Sequence, residues 1–435
     1  MSYIIKHVVI EGVWGVKIFD ANFNEDVNIL IGQNGSNKTT FINLIVGCLT
    51  VDRKVLTQIP FEKVVFFLVN EKQESETLIV EHIKLDIREF VRYYIPAVGV
   101  KDVSIFDEEM IHYHNMTNRK NYIQISEVLK SMINMCWLSV NRYDDQVEDR
   151  NHYVMRNAVD GKLNELLREL AVYRLRLVEQ TNKFTNELNQ KALSLLLYDD
   201  ETDNADNFDI ERFATLEPRE VESALKRVFC QMGKEMDMHI RLHIAKLREA
   251  MKCAKEQKPL SIDDMVALVL INKTVTLIDL SKKYKENIDR IMEPIDVYMR
   301  KLQQFVKDKK FEFSEETGLL SITWHHKNLS EMGEMTNLKI SPSRLSSGEK
   351  QLLILLTQTL LQEKQPYIFV ADEPELSLHI RWQRNIIGAI HEINPSAQII
   401  VATHSPEVAG QWSRNIIMME SITRYANKER IHFFD

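Results

Sequence analysis

Short apolar runs that end at glycine or at polar residues characterise the first third of the chain. The stretches YIIKHVVIEG and VNILIGQNG have the spacing of β-strands, and VVFFLV, TLIVEHIKLDI and MCWLSV share that character. The stretch TTFINLIVGCL, directly after Lys38, has the apolar spacing of a helix. The pattern therefore predicts mixed strands and helices over residues 1–149.

The middle block, residues 150–309, has few glycines and carries large apolar residues at heptad spacing. The first heptad segment has Leu163, Leu166, Leu170, Tyr173, Leu177, Phe184 and Leu188; the second has Tyr284, Ile288, Ile291, Ile295, Tyr298, Leu302 and Phe305. Two such segments can pair antiparallel, either as a projecting coiled coil or within an ordinary helical bundle. We expect Pro294 to kink the second segment and the acidic stretch 198–211 to form a flexible loop.

Strand character returns in the last block, residues 310–435, with KFEFSEETGLLSITWHH. A helix (QLLILLTQTLL), a buried strand (YIFVA), another helix and a further strand (IIVAT) follow. The chain thus divides into two α/β blocks separated by a helical one.

The amino-acid composition narrows the classes of protein to which the chain can belong. With 44% hydrophobic and 27% charged residues, the chain is globular, and its net charge of −8 excludes a general polyanion binder while allowing a local basic groove. The cysteines Cys48, Cys136, Cys230 and Cys253 lack metal-ligand spacing and are expected to be free thiols. The start of the chain lacks the features of a signal peptide, and no apolar run approaches the roughly 18 residues of a membrane span. We expect a cytoplasmic protein without a membrane association.

The sequence GQNGSNKTT, residues 32–40, nearly matches the phosphate-binding loop pattern G-x-x-x-x-G-K-[ST]. Asn37 stands at the second glycine position, where asparagine is tolerated because it enters the left-handed backbone region readily. A predicted strand precedes the loop and a predicted helix follows it, which is the context that such a loop requires. The candidate nucleotide-binding residues are Asn34, Gly35, Ser36, Asn37, Lys38, Thr39 and Thr40. Lys38 would reach the β- and γ-phosphates, and the Thr39 hydroxyl would bind Mg²⁺.

Two adjacent carboxylates end the buried strand in YIFVADEPELSLH, residues 367–379. Asp372 would hold Mg²⁺, directly or through water, and Glu373 would orient and deprotonate an attacking water. The alternative is a strand that runs into an acidic helix cap, which is common in proteins of many functions.

Two further segments offer groups for an anion. In LSSGEKQ, residues 345–351, Ser346 and Glu349 have the spacing of a helix capping box, and a serine and a glycine at a helix start also form an anion site. In IIVATHSP, residues 399–406, a buried strand delivers Thr403, His404 and Ser405 to its carboxyl end, where open α/β sheets bind ligands. A structural histidine is the alternative there.

The order and spacing of these four segments resemble the ATPase domain of the ABC superfamily, and most closely the branch that contains SMC, Rad50, RecF and the OLD nucleases. The resemblance covers about residues 1–145 and 310–425. It implies an α/β fold, an ABC-type ATPase head with a P-loop NTPase sheet, built from residues 1–149 and 310–435 and interrupted by a helical, coiled-coil-like insertion at 150–309. It also implies ATP and Mg²⁺ as cofactors.

In that superfamily two heads close over two nucleotides, so the resemblance implies a homodimer. Its nucleotide-binding contacts across the dimer would come from Ser346, Ser347, Gly348 and Glu349. Glu373 would be the catalytic base, His404 would touch the γ-phosphate, and residues 376–379 would cross the interface. Asn141, followed by Arg142, stands where the family has a glutamine that contacts the metal. Because asparagine is one methylene shorter, and Asn37 is also atypical, we expect slow hydrolysis.

The layout also resembles defence ATPases that act through a separate effector, since only about 30 residues follow His404. The favoured interpretation is the AriA-like ATPase of the PARIS anti-phage system. It implies a sensor and scaffold subunit, in a higher homo-oligomer, that holds a separate Toprim-type nuclease and releases or activates it on sensing a phage protein. One alternative is a PtuA-like ATPase of Septu or retron systems, paired with an HNH nuclease. The other is a RecF- or SMC-like repair ATPase, with the basic helix 239–258 as its candidate DNA contact.

Overall fold

The computed structural model describes residues 2–85, 88–96, 98–104, 115–138, 158–195, 210–229, 236–314, 317–324, 338–374 and 380–425. The chain forms two compact units. One unit consists of residues 1–171 together with 297–435, and the other of residues 172–296. Each unit has its own fold and is described in turn.

The strands are, in chain order, β1 (Tyr3–Val13), β2 (Lys17–Asn22), β3 (Val27–Ile31), β4 (Lys63–Asn70), β5 (Ser75–Leu85), β6 (Arg88–Ile95), β7 (Gly99–Ser104), β8 (Met135–Leu138), β9 (Lys309–Phe313), β10 (Leu320–Trp324), β11 (Leu338–Ile340), β12 (Tyr367–Asp372), β13 (Ala397–Thr403), β14 (Ile416–Met418) and β15 (Thr423–Tyr425). The helices are α1 (Lys38–Thr50), α2 (Arg53–Gln58), α3 (Asn115–Met132), α4 (Ala158–Ser194), α5 (Ile210–Thr215), α6 (Pro218–Val228), α7 (Met236–Lys255), α8 (Ile262–Phe305), α9 (Ser347–Leu360), α10 (Ile380–Ile393) and α11 (Met419–Ile422). In the described part of the chain, 3-10 segments span Pro342–Arg344 and Pro406–Asn415.

The described strands of the first unit form three sheets. A five-stranded parallel sheet has the order β14-β3-β13-β12-β8, and a seven-stranded antiparallel sheet has the order β15-β2-β1-β4-β5-β6-β7. A small antiparallel sheet has the order β11-β10-β9. Strands β12 and β13 are buried at every residue, as their continuous apolar runs predict for the interior of a parallel sheet.

One hydrophobic core joins the two large sheets through α1. It contains buried residues of β1, β2, β4–β7, α1, α3, β12 and β13. Phe41 of α1 packs edge-on against Phe19 of β2, with ring centroids 5.3 Å apart. The buried Gln398 side chain of β13 accepts from the Ile5 amide at 2.9 Å and donates to the Ile5 carbonyl at 2.7 Å, which ties β13 to β1. The strand and helix on either side of residues 32–37 are therefore rigidly held.

The second unit is helical. Phe184 of α4 and Tyr284 of α8 meet edge-on at 6.2 Å, so the two heptad segments do pair. A separate core, however, joins α6 and α7 to α8 through Val221, Leu247 and Ile271. The sequence did not indicate α6, whereas α7 corresponds to the expected basic helix 239–258. The pairing of the heptad segments is therefore part of a larger helical group. Pro294 lies inside α8, which continues on both sides of it.

Most strands and helices named from the sequence are confirmed, although several elements went unpredicted, among them β6, β7 and α3. Residues 196–209, which include most of the expected acidic loop, lie outside the described residues. Three of the cysteines, Cys48, Cys136 and Cys253, are free thiols. None of the described helices is both long enough and apolar enough to cross a bilayer.

Candidate nucleotide-binding site

Three neighbouring strands of the parallel sheet end at the same edge. Ile31, the last residue of β3, is in register with Thr403, the last residue of β13. On the other side of β13, Ala402 is in register with Asp372, the last residue of β12. The segments that follow these strands therefore emerge side by side, at the edge where open α/β sheets bind ligands.

The segment after β3 turns sharply into α1. Asn37 caps the helix in the left-handed region, with φ 69° and ψ 29°, as its place in the pattern predicts. Gly35 has φ 83°, which favours glycine. A Cβ on Gly32 would lie 2.5 Å from the Ser36 hydroxyl, so the loop requires glycine there as well. Backbone amides at the start of α1 form the positive end of the helix dipole.

Lys38, the first residue of α1, is only 4% exposed. Its Nζ atom donates to the Gly32 carbonyl at 2.8 Å and to the Gln33 carbonyl at 3.4 Å. The same atom lies 3.2 Å from Nδ1 of His404, which follows β13. The loop carbonyls thus hold a buried ammonium group at the centre of the edge.

His404 links this ammonium group to a carboxylate. Because lysine has only donors, Nδ1 of His404 accepts, and the ring proton therefore sits on Nε2. Nε2 lies 3.1 Å from Oε1 of Glu373, to which it donates. Glu373 has a φ of 45° and its amide donates to the Ala402 carbonyl at 2.8 Å. A non-glycine residue in this backbone region is uncommon and is found at functional sites more often than elsewhere.

Asp372 is a buried carboxylate beside Thr39. The Thr39 hydroxyl hydrogen bonds to it, yet Oδ1 of Asp372 has no hydrogen-bond partner among the described residues. Burial raises the pKa of Asp372 and the charge of Glu373 raises it further, while the Thr39 hydrogen bond and the charge of Lys38 oppose the shift. A buried acid with an unshared oxygen is a frequent mark of a functional site.

These groups fit a magnesium nucleotide. The Oδ1 atom of Asp372 and the Oγ atom of Ser36 are both buried without a partner among the described residues. A carboxylate oxygen and the neighbouring Thr39 hydroxyl are hard oxygen ligands of the kind that Mg²⁺ prefers. The Lys38 ammonium and the amino end of α1 suit phosphate oxygens.

A second cluster lies at the start of α9. The Ser346 hydroxyl caps the helix at the Glu349 amide, and the Glu349 carboxylate accepts from the Ser346 amide at 2.9 Å, which completes a capping box. Lys309 binds the other oxygen of Glu349 at 2.6 Å. Ser346 and Ser347 are exposed, whereas Gly348 is buried. Burial lowers the pKa of Lys309, but its hydrogen bonds to Asp308 and Glu349 outweigh that effect and the net shift is upward.

The structure therefore groups the sequence candidates into two sets. Lys38, Thr39, Asp372, Glu373 and His404 share the sheet edge, while Ser346, Ser347, Gly348 and Glu349 share the start of α9. Asn34 is exposed in the loop and Thr40 is half-buried on α1. Asn141, Arg142 and residues 376–379 lie outside the described residues. Sequence reasoning missed Lys309 and the Gly32 and Gln33 carbonyls, and no local pattern indicated them.

A family model described as "AAA domain, putative AbiEii toxin, Type IV TA system" matches residues 283–409. The matched segment contains the cluster at the start of α9, both carboxylates that end β12, and His404. The phosphate loop at residues 32–40 lies before it.

Two curated relatives match part of the chain. The "Retron Ec83 probable ATPase" of Escherichia coli is 29% identical over 168 residues, which are 35% of this chain and 31% of the relative. The "Retron Vc95 probable ATPase" of Vibrio cholerae serotype O1 biovar El Tor is 31% identical over 145 residues, which are 30% of this chain and 26% of the relative. The chain thus spans about a third or less of the length of these relatives.

Among solved structures, the Smc head domain with an extended coiled coil from Pyrococcus furiosus, bound to the C-terminal domain of ScpA, aligns over 98% of this chain and 96% of that chain. The TM-score is 0.43 and the sequence identity 13%, so this likeness carries no functional argument. The parallel sheet, the phosphate loop before α1 and the paired carboxylates at the end of β12 give the first unit the arrangement of a P-loop-type α/β fold. The matches to an AAA domain model and to two probable ATPases support ATPase activity.

Proposed function

We propose that the chain is an ATP-hydrolysing switch that binds ATP between two copies of itself. One observation carries the proposal: Lys38, His404 and Glu373 form a continuous chain of contacts at the edge where Asp372 and Thr39 also meet. These are a phosphate-binding cation, a ring that can hold a proton, a carboxylate that can accept one, and two oxygen ligands for a metal.

Each side chain then has a definite task. Lys38 binds the β- and γ-phosphate oxygens, which replace the loop carbonyls and His404 as its acceptors. Thr39 and Asp372 would hold Mg²⁺, which would neutralise charge on the phosphates when bound. Glu373 accepts a proton from the attacking water, and His404 orients that carboxylate through Nε2.

We propose a second copy because Ser346, which caps α9, belongs to a different cluster from Lys38. Ser346 is exposed at a helix start, where its hydroxyl and the neighbouring amides form an anion site. Its contacts are with Glu349, and not with the groups at the sheet edge. A nucleotide held by Lys38 of one copy and Ser346 of another would be enclosed by two isologous surfaces, as two-fold symmetry requires.

The comparisons support a role in anti-phage defence. The description of the family model includes "putative AbiEii toxin, Type IV TA system", and both curated relatives are named as a "probable ATPase" of a retron. We propose that the chain senses infection and controls a separate nuclease effector. The relatives favour a retron-type partnership, with an HNH nuclease, over the PARIS-type assembly with a Toprim nuclease that the layout of the sequence first indicated.

A DNA-repair role has less support. In α7, the helix expected to contact DNA, Arg241 is paired with Glu222 at 2.9 Å and Lys246 with Glu249 at 3.0 Å. Arg248 donates to the Leu216 carbonyl at 3.1 Å. Cations that are already partnered gain less from phosphate, so Arg241, Lys246 and Arg248 give this helix less support as a DNA contact.

Hydrolysis by the purified chain tests the proposal. We expect Mg²⁺-dependent release of phosphate from ATP at a turnover below about 10 s⁻¹, the typical enzyme median. Glu373→Gln should lower turnover by about 100-fold or more while ATP still binds, because only the proton acceptor is removed. Glu81→Gln, which removes a carboxylate paired with Lys63 on the antiparallel sheet, is the matched control and should not alter turnover. Equal turnover in the wild type and the Glu373→Gln variant would remove Glu373 from its role.

Co-purification tests whether the chain works with a nuclease subunit. The chain expressed with its neighbouring genes should retain a nuclease subunit in fixed ratio. An HNH nuclease supports the retron-type partnership, and a Toprim nuclease supports the PARIS type. Salt-sensitive binding to duplex DNA, without any nuclease subunit, would favour repair and contradict the defence role.

A further inference from the structure

The carboxylate of Glu349 is shared between two partners. Its Oε2 atom accepts from the Ser346 amide at 2.9 Å and from the Ser346 hydroxyl at 3.0 Å. Its Oε1 atom accepts from Nζ of Lys309 at 2.6 Å. The side chains of Lys309 and Glu349 are only 13% and 10% exposed. Lys309 is therefore separated from the exposed Ser346 hydroxyl by one buried carboxylate.

The buried ion pair fixes the conformation of that carboxylate. With both oxygens engaged, Glu349 has a single favourable orientation, and that orientation completes the capping box. Without Lys309, the carboxylate would be a buried charge with no cation, which is strongly unfavourable. It would then turn toward water or take up a proton, and either change would release the Ser346 hydroxyl from its present direction.

The backbone of Lys309 is itself held in place. Lys309 begins β9, four residues after α8 ends at Phe305. The Gln303 side chain of α8 donates to the Lys309 carbonyl at 2.7 Å and to the Val306 carbonyl at 3.0 Å. Tyr298, also in α8, contacts Thr357 of α9 through a buried hydroxyl pair at 2.8 Å. The Gln303 bonds thus hold the connection between α8 and β9, and the Tyr298 contact joins α8 to the second half of α9.

A neighbouring ion pair provides a natural comparison. Lys350, the residue after Glu349, binds Asp160 in the first turn of α4 at 2.7 Å, and the two side chains are 12% and 27% exposed. This pair anchors the same turn of α9 with a similarly buried lysine. It uses a different carboxylate, however, so it does not orient the Ser346 hydroxyl.

We propose that Lys309 is a positioning residue for the nucleotide contact made by Ser346. Through Glu349, it holds the Ser346 Oγ atom in the position that meets the nucleotide bound to the second copy, where the hydroxyl proton turns from Glu349 to a phosphate oxygen. The inference rests on the proposed function, in which Ser346 contacts ATP held by another chain. It adds a residue outside the four motifs, and it makes the end of α8 one determinant of whether two copies can close.

ATP-dependent dimerisation tests the inference. In a Glu373→Gln background, which retains ATP, the dimer dissociation constant is measured by sedimentation velocity with ATP and Mg²⁺. We expect Lys309→Met to weaken the dimer by about tenfold or more, and Lys350→Met to change it by less than about threefold. Lys309→Arg should restore most of the loss, because arginine can keep the ion pair. Thermal unfolding should show comparable destabilisation in the two Met variants, so loss of stability alone cannot explain a difference in dimerisation.

The Ser346→Ala variant distinguishes a failure of the proposed function from a failure of the role assigned to Lys309. If Ser346→Ala leaves the ATP-dependent dimer unchanged, the proposed function itself is wrong. If Ser346→Ala weakens the dimer but Lys309→Met has no greater effect than Lys350→Met, Ser346 retains its role and the role of Lys309 is overturned. Weakening by Ser346→Ala and Lys309→Met, with recovery in Lys309→Arg, supports the inference.

Discussion

Nζ of Lys38 lies 3.2 Å from Nδ1 of His404, although the two residues are 366 positions apart in the chain. The contact exists because β3 and β13 are neighbours in the parallel sheet and end in register. It brings the cation of the phosphate loop and the histidine after β13 together, and it fixes the tautomer through which His404 reaches Glu373.

Lys38→Met should lower ATP affinity by about 10- to 100-fold, since a charge-assisted hydrogen bond is worth roughly 1.5–3 kcal/mol. Methionine keeps most of the buried volume, so the fold should be retained. Isothermal titration with a non-hydrolysable ATP analogue measures the change. Lys6→Met, which removes an exposed lysine 3.7 Å from Glu25, is the control and should bind as the wild type does. Unchanged affinity in Lys38→Met would place the phosphates elsewhere.

His404→Gln should reduce kcat by about 10- to 100-fold with a smaller change in KM, because the bridge to Glu373 serves proton transfer more than ATP binding. Steady-state kinetics measure the two constants separately. His391→Gln, which alters a ring that packs on Trp412 outside the cluster, is the matched control. A large rise in KM with unchanged kcat would instead make His404 a group for ground-state binding.

Asn37→Val should destabilise the first unit by about 1–2 kcal/mol, because a β-branched residue cannot easily hold a φ of 69°. Asn37→Gly should fold at least as well as the wild type, since glycine enters the left-handed region without strain. Chemical denaturation gives the two free energies of unfolding. Asn34→Val lies in the same loop without a positive φ, and a loss there as large as in Asn37→Val would contradict the strain explanation.

Asp372→Asn should raise the melting temperature of the nucleotide-free protein at neutral pH while abolishing hydrolysis. The pKa of Asp372 is raised in the folded state, chiefly by burial, so the folded protein binds its proton more tightly than the unfolded chain does. The Asp372 carboxyl group therefore stabilises the fold fully at pH values below its pKa in the unfolded chain. This stabilisation is lost as the pH rises through its pKa in the folded protein. Asparagine removes that loss.

Melting curves between about pH 4 and pH 8 show whether Asp372→Asn raises or lowers the melting temperature at each pH. Glu81→Gln is the opposite control: the hydrogen bond from Lys63 lowers the pKa of Glu81, so its contribution is present at neutral pH and is lost as pH falls. A lower melting temperature for Asp372→Asn than for the wild type at neutral pH would show that the carboxylate is stabilising in the nucleotide-free fold.

The sequence predicted the parts of the fold that depend on local pattern. The apolar runs before Gly32 and before Asp372 are β3 and β12, and the left-handed backbone at Asn37 follows from its place in the loop. Helix α6 was not predicted, because the heptad pattern of its neighbours dominated the interpretation of that block, whereas α7 was expected as the basic helix 239–258.

Contacts between distant residues could not be predicted in the same way. No local signal pairs Lys309 with Glu349, or Asp160 with Lys350, because each bond joins elements whose neighbourhood is set by the packing of the whole unit. The order β3-β13-β12 likewise comes from tertiary packing. The four motifs indicated which groups the site needs, and the sheet order shows which of them share an edge.

The central claim is that one nucleotide lies between Lys38 of one copy and Ser346 of another. Complementation between two inactive variants tests it most directly. Lys38→Ala and Ser346→Ala are purified separately, shown to lack ATPase activity, and then mixed in equal amounts under conditions that allow subunit exchange.

In a mixed dimer, one site carries both substitutions and the other site carries neither. Since half of the dimers are mixed and each has one intact site, we expect recovery of about a quarter of wild-type ATPase activity. If each chain instead completed its own site, every site in the mixture would carry a substitution. Activity that stays at the level of the separate variants, while subunit exchange is demonstrated, would contradict the account.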